Sequence, residues 1–180
     1  MSTLDESYWT NRYHSKSTGW DIGYTGPLGH ILNDLEDKNS VILIPGAGNG
    51  HEADYALSLG IENIHVLDFS APPLENLKKR IPKLKLGNIH HADFFQHEGT
   101  YDIILEQTFF CALDPELREQ YMTKIHSLLK PNGILDNLTL HQPNEAARHK
   151  LLDVIGDLAL IGTRIRGKVI ANKPGHKVNT

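Results

Sequence analysis

Between Val41 and Asp68 the chain reads VILIPGAGNGHEADYALSLGIENIHVLD, and no other stretch constrains the fold as strongly. Val41, Ile42, Leu43 and Ile44 form an apolar, largely β-branched run, suited to a strand covered on both faces. Gly46, Gly48 and Gly50 follow at once, so the backbone can turn sharply there and a ligand can lie against it without meeting a Cβ. Glu52 to Leu59 carries a short helical pattern, closed by Gly60. Ile64 to Leu67 is a second strand, with Asp68 at its carboxyl end. In open α/β sheets, ligands collect outside these strand ends, and an acid after the second strand is placed to accept hydrogen bonds from ribose hydroxyls.

The glycine spacing is GxGxG rather than the GxGxxG of dinucleotide sites. A pyrophosphate needs the third glycine and an open helix N-terminus. Here His51 and Glu52 open the helix, and the Glu52 carboxylate would repel a phosphate. The spacing therefore predicts a nucleoside-like ligand without a pyrophosphate, a description that S-adenosylmethionine fits.

A chain of 180 residues is long enough for one domain with a substantial core. Its net charge of -4 and pI near 6.2 argue against a nucleic-acid partner. The single cysteine, Cys111, leaves no internal disulfide and suits a reducing, cytoplasmic setting. The polar start MSTLDESYW reads as no secretory signal, and no apolar run approaches a membrane span, so no membrane association is expected. Eleven scattered histidines make no metal motif.

The segment before this core is rich in aromatic residues. Tyr8, Trp9, Tyr13, Trp20 and Tyr24 precede residue 28, in a short helical turn over Ser7–Arg12 and a glycine-rich loop over Ser17–Gly29. Trp9 and Trp20 either staple this leader to the domain or form a lid whose flat faces cover a ligand and exclude water. Beyond it, the pattern predicts helices over Leu28–Leu35, Leu74–Arg80 and Pro115–Leu129. A third strand falls within Lys83–His90, a fourth at Tyr101–Leu105, and a fifth begins at Ile134 after the stop Pro131-Asn132-Gly133. Asp93 and Phe94 follow the third strand. Asp93 either accepts an adenine amine or caps the next turn, and Phe94 can pack on a ring. The alternation implies an α/β fold with a doubly wound, mostly parallel sheet.

Several of these segments together resemble one family. YWTNRY, GWDIG, LIPGAGNGHEADY, VLDFS, HADFF, YDIILEQTFFCALDP and LLKPNG occur in the order found in the thiopurine S-methyltransferase family, which also includes halide and thiol methyltransferases. The resemblance covers residues 8–134 and implies a class I methyltransferase, Rossmann-like, using S-adenosylmethionine to methylate a small soft nucleophile such as a thiol, thiopurine or halide. It implies that Trp9 and Trp20 cover the cofactor, that Gly46 and Gly48 bracket its methionyl part, and that Asp68 holds the ribose. Asp93 and Phe94 would then frame the adenine, and Glu106 would lie beside the transferred methyl group as the catalytic residue.

Residues 135–180 depart from that family and resemble a late segment of the zinc-dependent UDP-3-O-acyl-N-acetylglucosamine deacetylase, through RHKLLDVIGDL and KPGH. That resemblance implies zinc ligation at His149 and Asp153, which stand one helical turn apart. A catalytic zinc needs three protein ligands, and the upstream residues here are methyltransferase-like, so no metal is assigned. The expected organisation is a cofactor-binding domain over 1–134 and an atypical C-terminal helix and strand over 135–180, packed on the same sheet. A helix over Asn144–Ile161 and a strand over Arg164–Ala171 would make a further right-handed β-α-β unit beside strand five. The alternatives to turnover are a cofactor-binding domain that does not transfer methyl groups and a remnant of the deacetylase.

Overall fold

The computed structural model describes residues 5–136. The elements are α1 (Glu6–His14), α2 (Leu28–Asp34), β1 (Ile42–Pro45), α3 (His51–Ser58), β2 (Ile64–Asp68), α4 (Ala71–Arg80), β3 (Ile89–His91), β4 (Tyr101–Leu105), α5 (Phe109–Ala112), α6 (Arg118–Leu128) and β5 (Leu129–Asp136). The strands form one sheet in the order β3-β2-β1-β4-β5, and every neighbouring pair is parallel. The expected doubly wound sheet is therefore present. The chain order reverses between β1 and β4, and this switch point opens a crevice at the carboxyl ends of those strands.

Strand alternation divides the core into two layers. Ile42 and Ile44 face the layer that holds Leu28, Leu32, Ala53, Leu74 and Leu77. Leu43 between them faces Phe94, Ile104, Tyr121, Ile125 and Leu128. Both faces are covered, which is why β1 reads as an unbroken apolar run rather than as an alternation. Each fully buried aliphatic side chain contributes roughly 2 kcal/mol through removal from water.

Several boundaries differ from the sequence reading, each for a local reason. The expected helix at Leu74 starts earlier, at Ala71, because Pro72 and Pro73 sit in the first turn, where a missing N–H is no loss. The helix expected over Pro115–Leu129 is split. The Asp114 side chain accepts from the Glu116 N–H and holds a tight turn at Pro115–Leu117 before α6 begins. Strand five starts at Leu129 rather than Ile134. Its pairing passes from Tyr101↔Leu129 to Ile103↔Ile134, so Pro131-Asn132-Gly133 is looped out within the strand. Pro131 has no N–H to pair, and Asn132 adopts a φ of 70°.

A bulge in β4 escapes the sequence pattern. The Val41 carbonyl accepts from both Asp102 and Ile103 N–H groups, at 2.8 and 3.2 Å. Tyr101 is thereby turned to the Ile104 face of the sheet instead of the Ile103 face. There it meets a histidine cluster. Tyr101 Oη lies 2.7 Å from His97 Nε2, and His65 Nδ1 lies 3.0 Å from His90 Nε2. The His90 and His97 rings are 4.7 Å apart.

Burial pushes all three imidazoles down, His97 to about 4, with neighbouring His90 and Lys124 adding to the effect on His97 and His90 and Lys85 to that on His65. The unfolded chain therefore binds more protons than the folded one between pH 6.5 and about 4. Stability contributed by neutral His97 is present above that window and is lost as the pH falls through it. Denaturant unfolding at successive pH values should show this decline, and His97→Asn should flatten it. An equal slope in both proteins would contradict it.

Among the described residues no helix is long and apolar enough to cross a membrane. The helix and strand expected over 144–171, with His149 and Asp153, lie outside the described residues.

Candidate active site

The crevice at the switch point widens into a cavity of about 900 Å³. Its floor is the carboxyl end of the sheet, with Ile44 and Pro45 of β1 and Leu67 and Asp68 of β2. The glycine turn forms one wall, the turn after β3 another, and the segment from Gln107 to Leu117 a third. The leader closes the fourth side with Trp9, Tyr13, Trp20 and Asp21. The volume lies within the range of small-molecule sites.

Asp68 joins two of these walls. Its Oδ2 accepts from Gly48 N–H and its Oδ1 from Ser70 N–H, each at 2.8 Å. Only 8% of the residue is exposed. Burial pushes its carboxyl up, while the two backbone N–H groups favour the ionised form. The glycines are required by space as well as by backbone angle. Gly46 has a φ of 59°, and a Cβ there would collide with the ring of Phe109. Gly48 has a φ of 53°, and a Cβ there would stand 2.7 Å from the Tyr13 hydroxyl.

The aromatic leader is pinned onto the turn. Trp9 and Trp20 pack edge to face at 5.2 Å, and Tyr13 meets Trp20 in the same way at 5.9 Å. Asp21 Oδ1 lies 2.8 Å from His51 Nε2, and its other oxygen accepts from the Asn49 side chain. Burial pushes the Asp21 carboxyl up, but the bonds from Asn49, Gly23 and His51 outweigh it and hold it below the usual range. Glu52 lines the same wall, where burial chiefly, with the Asp21 charge adding, pushes its carboxyl up to about 7.

Trp9, Trp20, Gly46, Gly48, Asp68, Asp93 and Phe94 all line this one cavity. Asp93 also caps the turn after β3, its Oδ1 accepting from Phe95 N–H at 2.9 Å. Phe94 is at once wall and core, 5.3 Å from the Tyr121 ring. Glu106 is not among the lining residues. It is 1% exposed, behind the wall, and its Oε1 accepts from Phe110 N–H at 2.8 Å. There it shapes the turn into α5.

The sequence assigns no site role to Asp21 or Asn49, and it marks Tyr13 only as one of the leader aromatics and His51 only as a residue that opens the helix. For Asp21 the signal is the GWDIG segment, an acid between a tryptophan and a glycine-rich loop. Among the described residues, no group of three or more His, Cys, Asp and Glu side chains is placed to hold a metal.

Two family models match the chain. The one described as Thiopurine S-methyltransferase (TPMT) matches residues 4–148. The one described as UDP-3-O-acyl N-acetylglycosamine deacetylase matches residues 120–180, so the two resemblances overlap rather than meet at residue 134. Probable thiol methyltransferase 2 of Arabidopsis thaliana is 30% identical over 144 residues, covering 77% of this chain and 63% of that protein. The chain thus spans less than two thirds of that relative's length. The bifunctional enzyme LpxC/FabZ of Bacteroides thetaiotaomicron is 62% identical over 47 residues, covering 26% of this chain and 10% of that protein. Among solved structures, the 1,6-didemethyltoxoflavin-N1-methyltransferase of Burkholderia thailandensis, with bound 1,6-didemethyltoxoflavin and S-adenosylhomocysteine, matches with a TM-score of 0.61 at 24% identity. It covers 73% of this chain and 59% of that one, a likeness of fold.

Proposed function

Since the chain belongs to the thiopurine S-methyltransferase family, we propose that it transfers a methyl group from S-adenosylmethionine to a small soft nucleophile, a thiol, thiopurine or halide. The observation that carries this reading is the Asp68 carboxylate, buried at the carboxyl end of β2 and bonded to the glycine turn across the cavity floor. The residues present fit the cofactor. The space over Gly48 is one a Cβ would fill, Ser70 presents a buried hydroxyl without a hydrogen-bond partner, and the walls are aromatic and acidic. A cationic ligand suits such walls better than a phosphate does.

When bound, S-adenosylmethionine supplies an electrophilic methyl on a sulfonium, which a soft nucleophile takes in line while the carbon–sulfur electrons return to a neutral thioether. Asp68 would accept from ribose hydroxyls, Gly46 and Gly48 would lie along the methionyl part, and Asp93 and Phe94 would frame the adenine. Trp9 and Trp20 would exclude water. The chain's work is then orientation and desolvation rather than proton transfer. Glu106, turned to Phe110 N–H, would act as a positioning residue for the acceptor wall.

A methyl-transfer assay with S-adenosylmethionine tests this reading, with the methylated product of a thiol or iodide followed by mass spectrometry. Product above the protein-free background supports it. Cofactor binding with no product from any acceptor would reduce the function to binding alone.

Glu52 makes the proposal pH-sensitive. A carboxyl with a pKa of about 7 is largely protonated at pH 6 and ionised at pH 8. A cation binds better to the ionised form, so affinity for S-adenosylmethionine should rise about fivefold over that interval. The rise should be smaller for S-adenosylhomocysteine, whose sulfur is uncharged, and Glu52→Gln should abolish it. An unchanged profile in Glu52→Gln would contradict it. A small-molecule acceptor and a cytoplasmic setting, in keeping with the exposed thiol of Cys111, complete the proposal.

A further inference from the structure

The leader is held over the cavity with little apolar burial. None of residues 5–24 is buried. Trp9, Tyr13 and Trp20 pack edge to face with one another, and none of them belongs to the two core layers. Thr25 is the first buried residue among those described, and its Oγ1 donates to the His51 carbonyl at 3.1 Å. Before Thr25, side-chain hydrogen bonds stay inside the leader, as from Arg12 Nε to the Ser17 carbonyl at 2.7 Å and from Tyr8 N–H to Asp5 Oδ1 at 2.8 Å. Among the described residues Asp21 is the exception. Its Oδ2 accepts from Asn49 Nδ2, and its Oδ1 lies 2.8 Å from His51 Nε2. The receiving side is itself tied down. The Asn49 carbonyl accepts from Arg80 of α4, which also pairs with Asp54 of α3 at 2.7 Å.

A segment with few buried contacts opens at low cost, and the bonds to one carboxylate then govern how often it does so. We propose that Asp21 is a positioning residue: it latches the aromatic leader over the bound cofactor and so sets how fast cofactor and demethylated product exchange. The inference rests on the cofactor reading above and adds to it what controls exchange at that site. Asp21 acts through Trp9, Tyr13 and Trp20, which line the cavity beside the glycine turn. The demethylated product must leave after every transfer, so the latch bounds turnover as well as binding.

Both tryptophans of the chain, Trp9 and Trp20, lie in the leader, so intrinsic fluorescence reports it directly. The test follows S-adenosylhomocysteine dissociation by stopped-flow fluorescence in the full chain, as wild type, Asp21→Ala, Asp21→Asn, Asn49→Ala and the double variant of Asp21→Ala with Asn49→Ala. Acrylamide quenching of each ligand-free protein runs beside it. Asp21→Ala should speed dissociation about tenfold and raise quenching about twofold. Asn49→Ala should speed dissociation about threefold, and the double variant should be no faster than Asp21→Ala alone. Asp21→Asn keeps an oxygen for Asn49 and offers an N–H to His51 Nε2, so it should stay within about threefold of wild type. Urea midpoints should be unchanged, because the leader buries no residue before Thr25. Dissociation from Asp21→Ala within about twofold of wild type, unchanged quenching, or fully additive single variants would overturn the latch and leave the cofactor reading standing. No response of wild type to S-adenosylhomocysteine would remove the cofactor reading, while quenching still decides whether Asp21 holds the leader down.

Discussion

Asp68→Ala is expected to weaken S-adenosylmethionine binding at least about 100-fold, because one side chain meets two demands. It holds the Gly48 and Ser70 N–H groups, both at 2.8 Å, and it is the acid at the end of β2 proposed to accept from the ribose. Removing it leaves two buried donors without an acceptor and deprives the ligand of a charge-assisted partner. Asp68→Asn separates the two effects. One amide oxygen can still meet one backbone donor, so the fold should survive with smaller loss of stability while affinity still falls by about tenfold or more. Calorimetric titration gives the affinities, and denaturant unfolding gives the stabilities. An Asp68→Ala protein that binds as tightly as wild type would exclude Asp68 as the ribose ligand.

Gly46→Ala is expected to damage the site through space rather than charge. The residue has a φ of 59°, where a side chain costs about 1–2 kcal/mol, and its Cβ would drive into the Phe109 ring. Phe109 is itself a wall of the cavity and packs on Phe94 at 5.2 Å. Displacing it should open the acceptor side and lower methyl transfer about 100-fold, with a fall in thermal midpoint of about 5 °C. The double variant Gly46→Ala, Phe109→Ala removes the collision. Its stability should exceed the sum of the single effects by about 1 kcal/mol, the mark of coupled neighbours. Strict additivity would mean that the two residues do not meet as described.

Much of the architecture is legible in the chain because its signals are local. The run at Val41–Ile44, the glycines after it and Asp68 predict the switch-point crevice, and β1, β2 and β4 lie where their apolar runs place them. The cavity also gathers Asp93, Phe94 and the two tryptophans, residues that stand far apart in sequence. What is not legible depends on contacts made across the fold. The β4 bulge arises because Val41 offers one carbonyl to two N–H groups, and YDIIL carries no mark of it. The depth of Glu106 is set by the turn into α5, held from Phe110. The tie from Asp21 to Asn49 and His51 spans some thirty residues, so neither end announces the other.

The cavity beneath the aromatic leader is proposed to hold S-adenosylmethionine. Isothermal titration of the full chain with S-adenosylmethionine, and in parallel with S-adenosylhomocysteine, puts this to the test. Saturable heat is expected at one site per chain, with affinity tighter than about 100 μM, and is abolished in Asp68→Ala. A folded protein giving no heat with either ligand up to about 1 mM would contradict it.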